Sequence, residues 1–201
     1  MPYPDRFYPV VDSVAWVARL ALLGAGTIQL RAKNLGEADA LQTVKDALDV
    51  ISGTRAKLVV NDYWRAAIEA GAKHLHLGQE DLADADVAAI REAGITLGIS
   101  THDDAELQTA LAAKPDYVAL GPIFPTTLKS MRFAPQGIPK ISEWKKRVGE
   151  LPLVAIGGIK LEQAGEIFAA GADSIAVVSD VTQNAEPDAR VRAWLGLKEP
   201  A

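Results

Sequence analysis

Short runs of β-branched and other apolar residues recur along the chain, each followed by a segment whose apolar positions repeat at helical spacing. The runs predict eight strands: Tyr8 to Val11, Thr27 to Leu30, Lys57 to Val60, His74 to Leu77, Thr96 to Ser100, Tyr117 to Leu120, Leu153 to Ile156 and Ser174 to Val178. Between them Val14, Val17, Ala18, Ala21 and Leu22 form one expected buried helical stripe. Leu41, Val44, Leu48 and Ile51 form a second, and Leu161, Ala164, Ile167 and Phe168 a third. Gly26, Gly53, Gly71, Gly94 and Gly171 stand where these helices should stop and turn into the next strand.

Alternating strands and helices imply a parallel sheet with right-handed crossovers, either open and doubly wound or closed into an eight-fold barrel. Two features favour an α/β fold of the (β/α)8 TIM-barrel type, one compact domain spanning residues 1–201. Dividing 201 residues among eight units leaves about 25 for each, the compact end of a barrel range that begins near roughly 200 residues. The predicted strands also end in polar clusters, among them Gln29 with Arg31, Asn61 with Asp62, and Ser179 with Asp180. A barrel gathers those ends on one face, whereas an open sheet would scatter them. The stretch from Gly121 to Pro139 carries four prolines and no helical spacing, and reads as a long loop over that face.

Composition narrows the function classes. An apolar content of 49% with 23% charged residues supports a packed core and excludes a disordered chain. Cysteine is absent, which excludes a disulfide scaffold, a thiolate metal site and a cysteine nucleophile. That absence, with no apolar run of membrane length and no leader-like start, predicts a cytoplasmic protein. The formal net charge of −5 gives no global attraction for nucleic acid or an anionic membrane. Small-molecule partners are expected, any anion being held by a local cluster; oligomeric state is left open.

Gln29, Arg31 and Lys33 alternate at one strand end and should share a face, a cationic pair suited to a polyanion. Asn61-Asp62 follows a β-branched run and precedes a helix, where Asp62 could cap. Asp81 ends the next unit, so Asp62 and Asp81 could instead converge on one hard cation, since Mg²⁺ is held by one or two carboxylates plus phosphate and water oxygens. Glu80 should point away. His74 and His76 alternate onto the same side of their strand and read as core or supporting residues rather than a zinc pair; His102 reads as a helix cap. Ser100 lacks a Gly-x-Ser-x-Gly setting and reads as a hydroxyl donor to phosphate or a cap. Gly121 to Lys129 combines glycine, hydroxyls and a cation in an irregular stretch able to wrap an anion. Gly157-Gly158 and Ser179 end the last two strands, the position at which eight-fold barrels often bind phosphate. Together these clusters suit one diphosphate and one monophosphate.

The segments QLRAK, VVNDYWRAAIEAGAKHLHLGQEDL, GISTHDD, ALGPIFPTTLK, VAIGGI and IAVVS run in order over nearly the whole chain and resemble the thiamine phosphate synthase family. The resemblance implies a (β/α)8 transferase that joins hydroxymethylpyrimidine diphosphate to a thiazole monophosphate, or its carboxylated form, and releases diphosphate. It implies Mg²⁺ as cofactor on Asp62 and Asp81, with Arg31, Lys33, Ser100 and Lys129 orienting the diphosphate as the catalytic set. Gln29 and Asn61 would meet the pyrimidine, and Thr126, Gly158, Val178 and Ser179 the thiazole phosphate. The family loop reads Thr-x-Thr-Lys; here it reads Thr126-Thr127-Leu128-Lys129, with Leu128 in place of a hydroxyl. Two other readings are a thiazole tautomerase-like barrel, which would not need the joint set Arg31, Lys33, Asp62 and Asp81, and a non-catalytic phosphate-binding regulator, for which no DNA-reading element is present.

Overall fold

A computed structural model describes residues 3–126 and 133–197. Eight parallel strands close into a barrel in sequence order: β1 (Phe7–Val11), β2 (Thr27–Leu30), β3 (Lys57–Asn61), β4 (His74–Leu77), β5 (Thr96–Thr101), β6 (Tyr117–Leu120), β7 (Leu153–Ile156) and β8 (Ser174–Val177). Closure is made by β1 against β8, with Tyr8 opposite Ala176. The helices are α1 (Val14–Leu22), α2 (Glu37–Val50), α3 (Trp64–Glu69), α4 (Gln79–Asp84), α5 (Val87–Glu92), α6 (Asp104–Ala112), α7 (Gly137–Val148), α8 (Ala164–Ala169), α9 (Ser179–Thr182) and α10 (Pro187–Leu195). The predicted barrel and all eight strands are present, with ends displaced by at most one residue.

Most strand residues are buried on both faces, because one face looks into the barrel and the other onto the helices. The interior holds Tyr8, Val10, Val59, Tyr117, Ala119, Val154 and Ala176, while the larger aliphatic core lies between sheet and helices. Gly98 on β5 makes room for one large interior ring: a Cβ there would lie 1.9 Å from Cζ of Tyr117, its register partner on β6.

Several local expectations are corrected. Leu22 is 84% exposed, and the α1 stripe is instead Val17, Leu20 and Ala21. In α2 the buried positions are Ala40, Val44 and Ala47, with Leu41 and Leu48 half-buried at the edge, because alanine lets the helix approach the sheet closely. The glycine that ends α1 is Gly24, at φ +95°, and not Gly26. Gly26 is small for a different reason: a Cβ there would sit 1.9 Å from Oδ2 of Asp5. The loop after β6 ends at Gln136, because α7 starts at Gly137 and takes Pro139 into its first turn, where a missing N–H is tolerated. Thr127, Leu128 and Lys129 lie outside the described residues.

Candidate functional site

A cavity of about 630 Å³ opens at the carboxyl ends of the strands. Gln29 of β2 lines it, with Arg31 and Lys33 just beyond that strand and Asn61 at the end of β3. Ser100 lines it from β5, Thr126 from the loop after β6, Gly158 from the loop after β7, and Val178 with Ser179 from the end of β8. These nine residues were each expected at the mouth. Asp62 and Asp81 line an adjoining depression of about 320 Å³ together with Trp64 and Asp84.

The two carboxylates face one another. Burial and then the charge of Asp81 push the Asp62 carboxyl up to about 6 from its ordinary 3.8, while Arg31 and Asn61 pull it back. Asp62 does not cap α3: Tyr63 occupies that position and no side chain bonds the first-turn amides. Instead Asp62 adopts a left-handed backbone, φ +65°, uncommon for a non-glycine residue. Its N–H donates to the His76 carbonyl at 3.0 Å, and Asn61 Nδ2 donates to its Oδ2 at 2.5 Å. That conformation turns the carboxylate off the helix end and holds it beside Asp81. Two partly buried carboxylates at one place are poorly compensated by the protein alone, and the donor set suits a hard divalent cation. Among the described residues no group of three or more His, Cys, Asp or Glu side chains is placed to hold a metal. Glu80 is exposed, as expected.

Below the mouth, a hydrogen-bonded chain crosses the barrel. Gln29 Nε2 donates to the Tyr8 hydroxyl at 2.7 Å, which meets the Tyr117 hydroxyl at 2.8 Å. Tyr117 meets His76 Nδ1 at 3.0 Å, and His76 Nε2 meets Ser100 Oγ at 2.8 Å. Burial, reinforced by Arg31, lowers His76 to about 4 and keeps it neutral. His74, on the same strand face, lies deeper and stacks on Tyr3 with ring centroids 4.5 Å apart. Burial, helped by Lys57, brings His74 likewise to about 4. His102 is no cap: Asp103 accepts from the Glu106 amide, while His102 Nδ1 pairs with Glu106 at 2.6 Å and its ring stacks on Phe133. Sequence reasoning missed Tyr8 and Tyr117. The signal that could have found them is Gly98, a strand glycine whose neighbour across the ladder needed the space.

On the opposite side of the mouth the loops are built from backbone. Ile123 N–H donates to the Ile156 carbonyl and Phe124 N–H to that of Gly157, both at 2.9 Å, seating the loop after β6 on the loop after β7. Gly158 has φ +68°, and a Cβ on it would lie 2.5 Å from the Pro125 carbonyl oxygen, so that seat requires glycine. Asp180, its side chain only 6% exposed, was also missed as a structural centre. It accepts from Arg190 through both oxygens and from Trp194 Nε1, all at 2.8 Å, and from the Leu161 N–H at 3.3 Å. Arg190 also grips Glu162 through two bonds of 2.7 and 2.8 Å. These hydrogen bonds lower the Glu162 carboxyl to about 2. The loops after β7 and β8 are thereby tied to each other and to α10.

Residues 7–181 match the family model described as thiamine monophosphate synthase. The thiamine-phosphate synthase of Rhizobium etli is 53% identical over 196 residues, covering 98% of this chain and 96% of that protein. That of Neisseria meningitidis serogroup B is 48% identical over 194 residues, covering 96% and 95%. Among solved structures, thiamine phosphate pyrophosphorylase from Pyrococcus furiosus superposes with a TM-score of 0.81 at 27% identity, covering 94% and 93%. A 3-hexulose-6-phosphate synthase, at TM-score 0.71 and 15% identity over 94% of this chain and 97% of the other, shares the fold.

Proposed function

Because the chain belongs to the thiamine monophosphate synthase family, a family of transferases, we propose that it joins 4-amino-2-methyl-5-hydroxymethylpyrimidine diphosphate to 4-methyl-5-(2-hydroxyethyl)thiazole phosphate. The bond broken is the C–O bond between the pyrimidine methylene and the diphosphate, whose oxygen keeps the electron pair. The bond formed joins that methylene carbon to the thiazole nitrogen, giving thiamine phosphate and free diphosphate. The carboxylated thiazole phosphate is a second acceptor of the same class, its carboxyl group leaving as CO2 when thiamine phosphate forms.

One observation carries this reading: the paired carboxylates Asp62 and Asp81 stand beside Arg31 at the edge of a cavity that also presents Lys33 and Ser100. Such a cluster is made for a departing polyanion. A methylene attached to an electron-rich aminopyrimidine ionises when its leaving group is stabilised, so the protein supplies electrostatics and position rather than a nucleophile. Arg31, Lys33 and Ser100 hold the diphosphate, and Lys129 is assigned to the same task. Asp62 and Asp81 would hold Mg²⁺, which when bound supplies positive charge against the leaving oxygens. Gln29 and Asn61 hold the pyrimidine ring. Thr126, Gly158, Val178 and Ser179 anchor the thiazole phosphate on the other side, aiming its nitrogen across the cavity. Each preorganised contact to the developing charge contributes on the order of 2.7–4 kcal/mol to the barrier reduction.

Purified protein given both substrates and Mg²⁺ should release diphosphate and form thiamine phosphate in equal amounts. No product at saturating substrates would overturn the assignment. Thiazole isomerisation without C–N bond formation would place the chain with the tautomerase-like barrels instead.

A further inference from the structure

The chain of polar groups through the barrel has five members, from five different strands: Gln29, Tyr8, Tyr117, His76 and Ser100. Gln29, Tyr8, Tyr117 and His76 are buried, and each link is of ordinary hydrogen-bond length. A hydroxyl has one proton to donate, and a buried one must spend it. Burial pushes both phenols well above their ordinary range, so both stay protonated.

Direction then propagates from one end. The Gln29 amide donates to Tyr8, so the Tyr8 proton goes to Tyr117, the other polar group it meets. The Tyr117 oxygen has accepted, so its own proton goes to His76 Nδ1. A neutral imidazole that accepts at Nδ1 carries its proton on Nε2, which faces Ser100 Oγ. The Ser100 oxygen therefore accepts a hydrogen bond from inside the barrel, and its own proton is left for the cavity it lines. At the other end, the Gln29 amide has spent a donor on Tyr8 and keeps its carbonyl oxygen as an acceptor. The opposite direction is equally continuous, with Ser100 donating inward and Gln29 accepting from Tyr8, and it would strip the cavity of the serine donor.

We infer that Tyr117 is a positioning residue: by donating to Nδ1 it holds His76 as its Nε2–H tautomer and turns the Ser100 hydroxyl proton toward the anion bound at the mouth, while Tyr8 extends the same directional chain to Gln29. The inference rests on the proposed reading for the anion's identity, but the state of the chain exists in the free protein. Gly98 serves the same device by admitting the Tyr117 ring. The two tyrosines contribute unequally. Tyr117 is in contact with His76 and dictates its tautomer, whereas Tyr8 lies upstream, contacts Gln29, and can be lost without reversing Tyr117.

The test is long-range ¹H–¹⁵N correlation on histidine-labelled, ligand-free protein, in which only three imidazoles exist and His76→Gln assigns the relevant one. His76 should show protonated Nε2 and unprotonated Nδ1 between about pH 6 and 8. Tyr117→Phe should move it to a mixed or Nδ1–H population and lower kcat about tenfold, leaving the KM for thiazole phosphate within about twofold. Tyr8→Phe should keep the Nε2–H tautomer and raise the KM for the pyrimidine diphosphate by threefold or more. A wild-type His76 protonated on Nδ1 overturns the inference, whether or not the enzyme makes thiamine phosphate. So does a Tyr117→Phe protein with unchanged tautomer and kcat. If that variant does not fold, the wild-type tautomer alone decides. Failure of the synthase assay with the Nε2–H tautomer intact would remove the proposed substrate while leaving the chain's direction standing.

Discussion

The two sides of the barrel mouth are built from different materials. On the β2–β5 side the site consists of side chains at strand ends: Gln29, Arg31, Lys33, Asn61, Asp62, Asp81 and Ser100. Across the cavity, the β6–β8 side is mostly backbone, with Gly157 and Gly158 wedged against the loop after β6 and the last two loops tied together through Asp180. The contrast follows from the two tasks proposed. A bond that ionises needs full charges aimed where charge develops, and those come from ionised groups. A phosphate that must only be held in place is served by closely approaching main chain on a rigid loop. Rate should therefore be lost on one side and affinity on the other.

The largest effect is expected from Asp81→Asn. Turnover should fall by about 10²–10³, with the KM for thiazole phosphate changed by less than about twofold; equal losses in both would erase the division. Next comes Gly158→Ala, whose methyl would press on the carbonyl oxygens of Pro125 and Phe124 at a positive φ. It should cost about 1–3 kcal/mol of stability and weaken thiazole phosphate binding at least about tenfold by calorimetry, while pyrimidine diphosphate still binds. Asp180→Ala reaches the same loop through its support. It should raise the KM for thiazole phosphate by about tenfold, equivalent to about 1.4 kcal/mol, and leave kcat within about threefold; a kcat loss with unchanged KM would show that the clamp serves the chemistry instead.

The smallest effect concerns the free protein. Asp62 titrates near 6 when folded and near 3.8 otherwise, so between those pH values the folded state binds the proton more tightly. Its contribution to stability is present at pH 4 and is lost as pH rises through 6. Asp62→Asn should therefore raise the Tm of metal-free protein at pH 7.5, by about 2–4 °C for each kcal/mol regained, and change it little at pH 4. A lower Tm for the variant at pH 7.5 would show that the carboxylate pair is not held under repulsion.

Much of this arrangement was legible in the chain, because strand ends are local features. Arg31 and Lys33 follow an apolar run, Asp62 and Asp81 end successive units, and a closed barrel turns succession into proximity. Ambiguity arose where one residue had several local uses. Asp62 has the composition of a cap, yet its left-handed backbone turns it toward Asp81, the other of its two expected placements, and Tyr63 takes the cap position. His102 likewise yields its expected cap to Asp103. Leu22 matched the helical period but falls at the last turn of α1, clear of the sheet.

By itself, then, the sequence determined the eight-fold alternation, the polar strand ends and the charge types that meet at the mouth, since periodicity and residue chemistry are carried by neighbours along the chain. Only the tertiary structure decided which inward-facing groups touch. Tyr8 and Tyr117 are 109 residues apart and share a hydrogen bond, and Asp180 meets Leu161 from the preceding loop and Trp194 from the last helix. Alternation says that such residues face inward. It takes barrel closure and the vacancy beside Gly98 to bring one hydroxyl within 2.8 Å of the other.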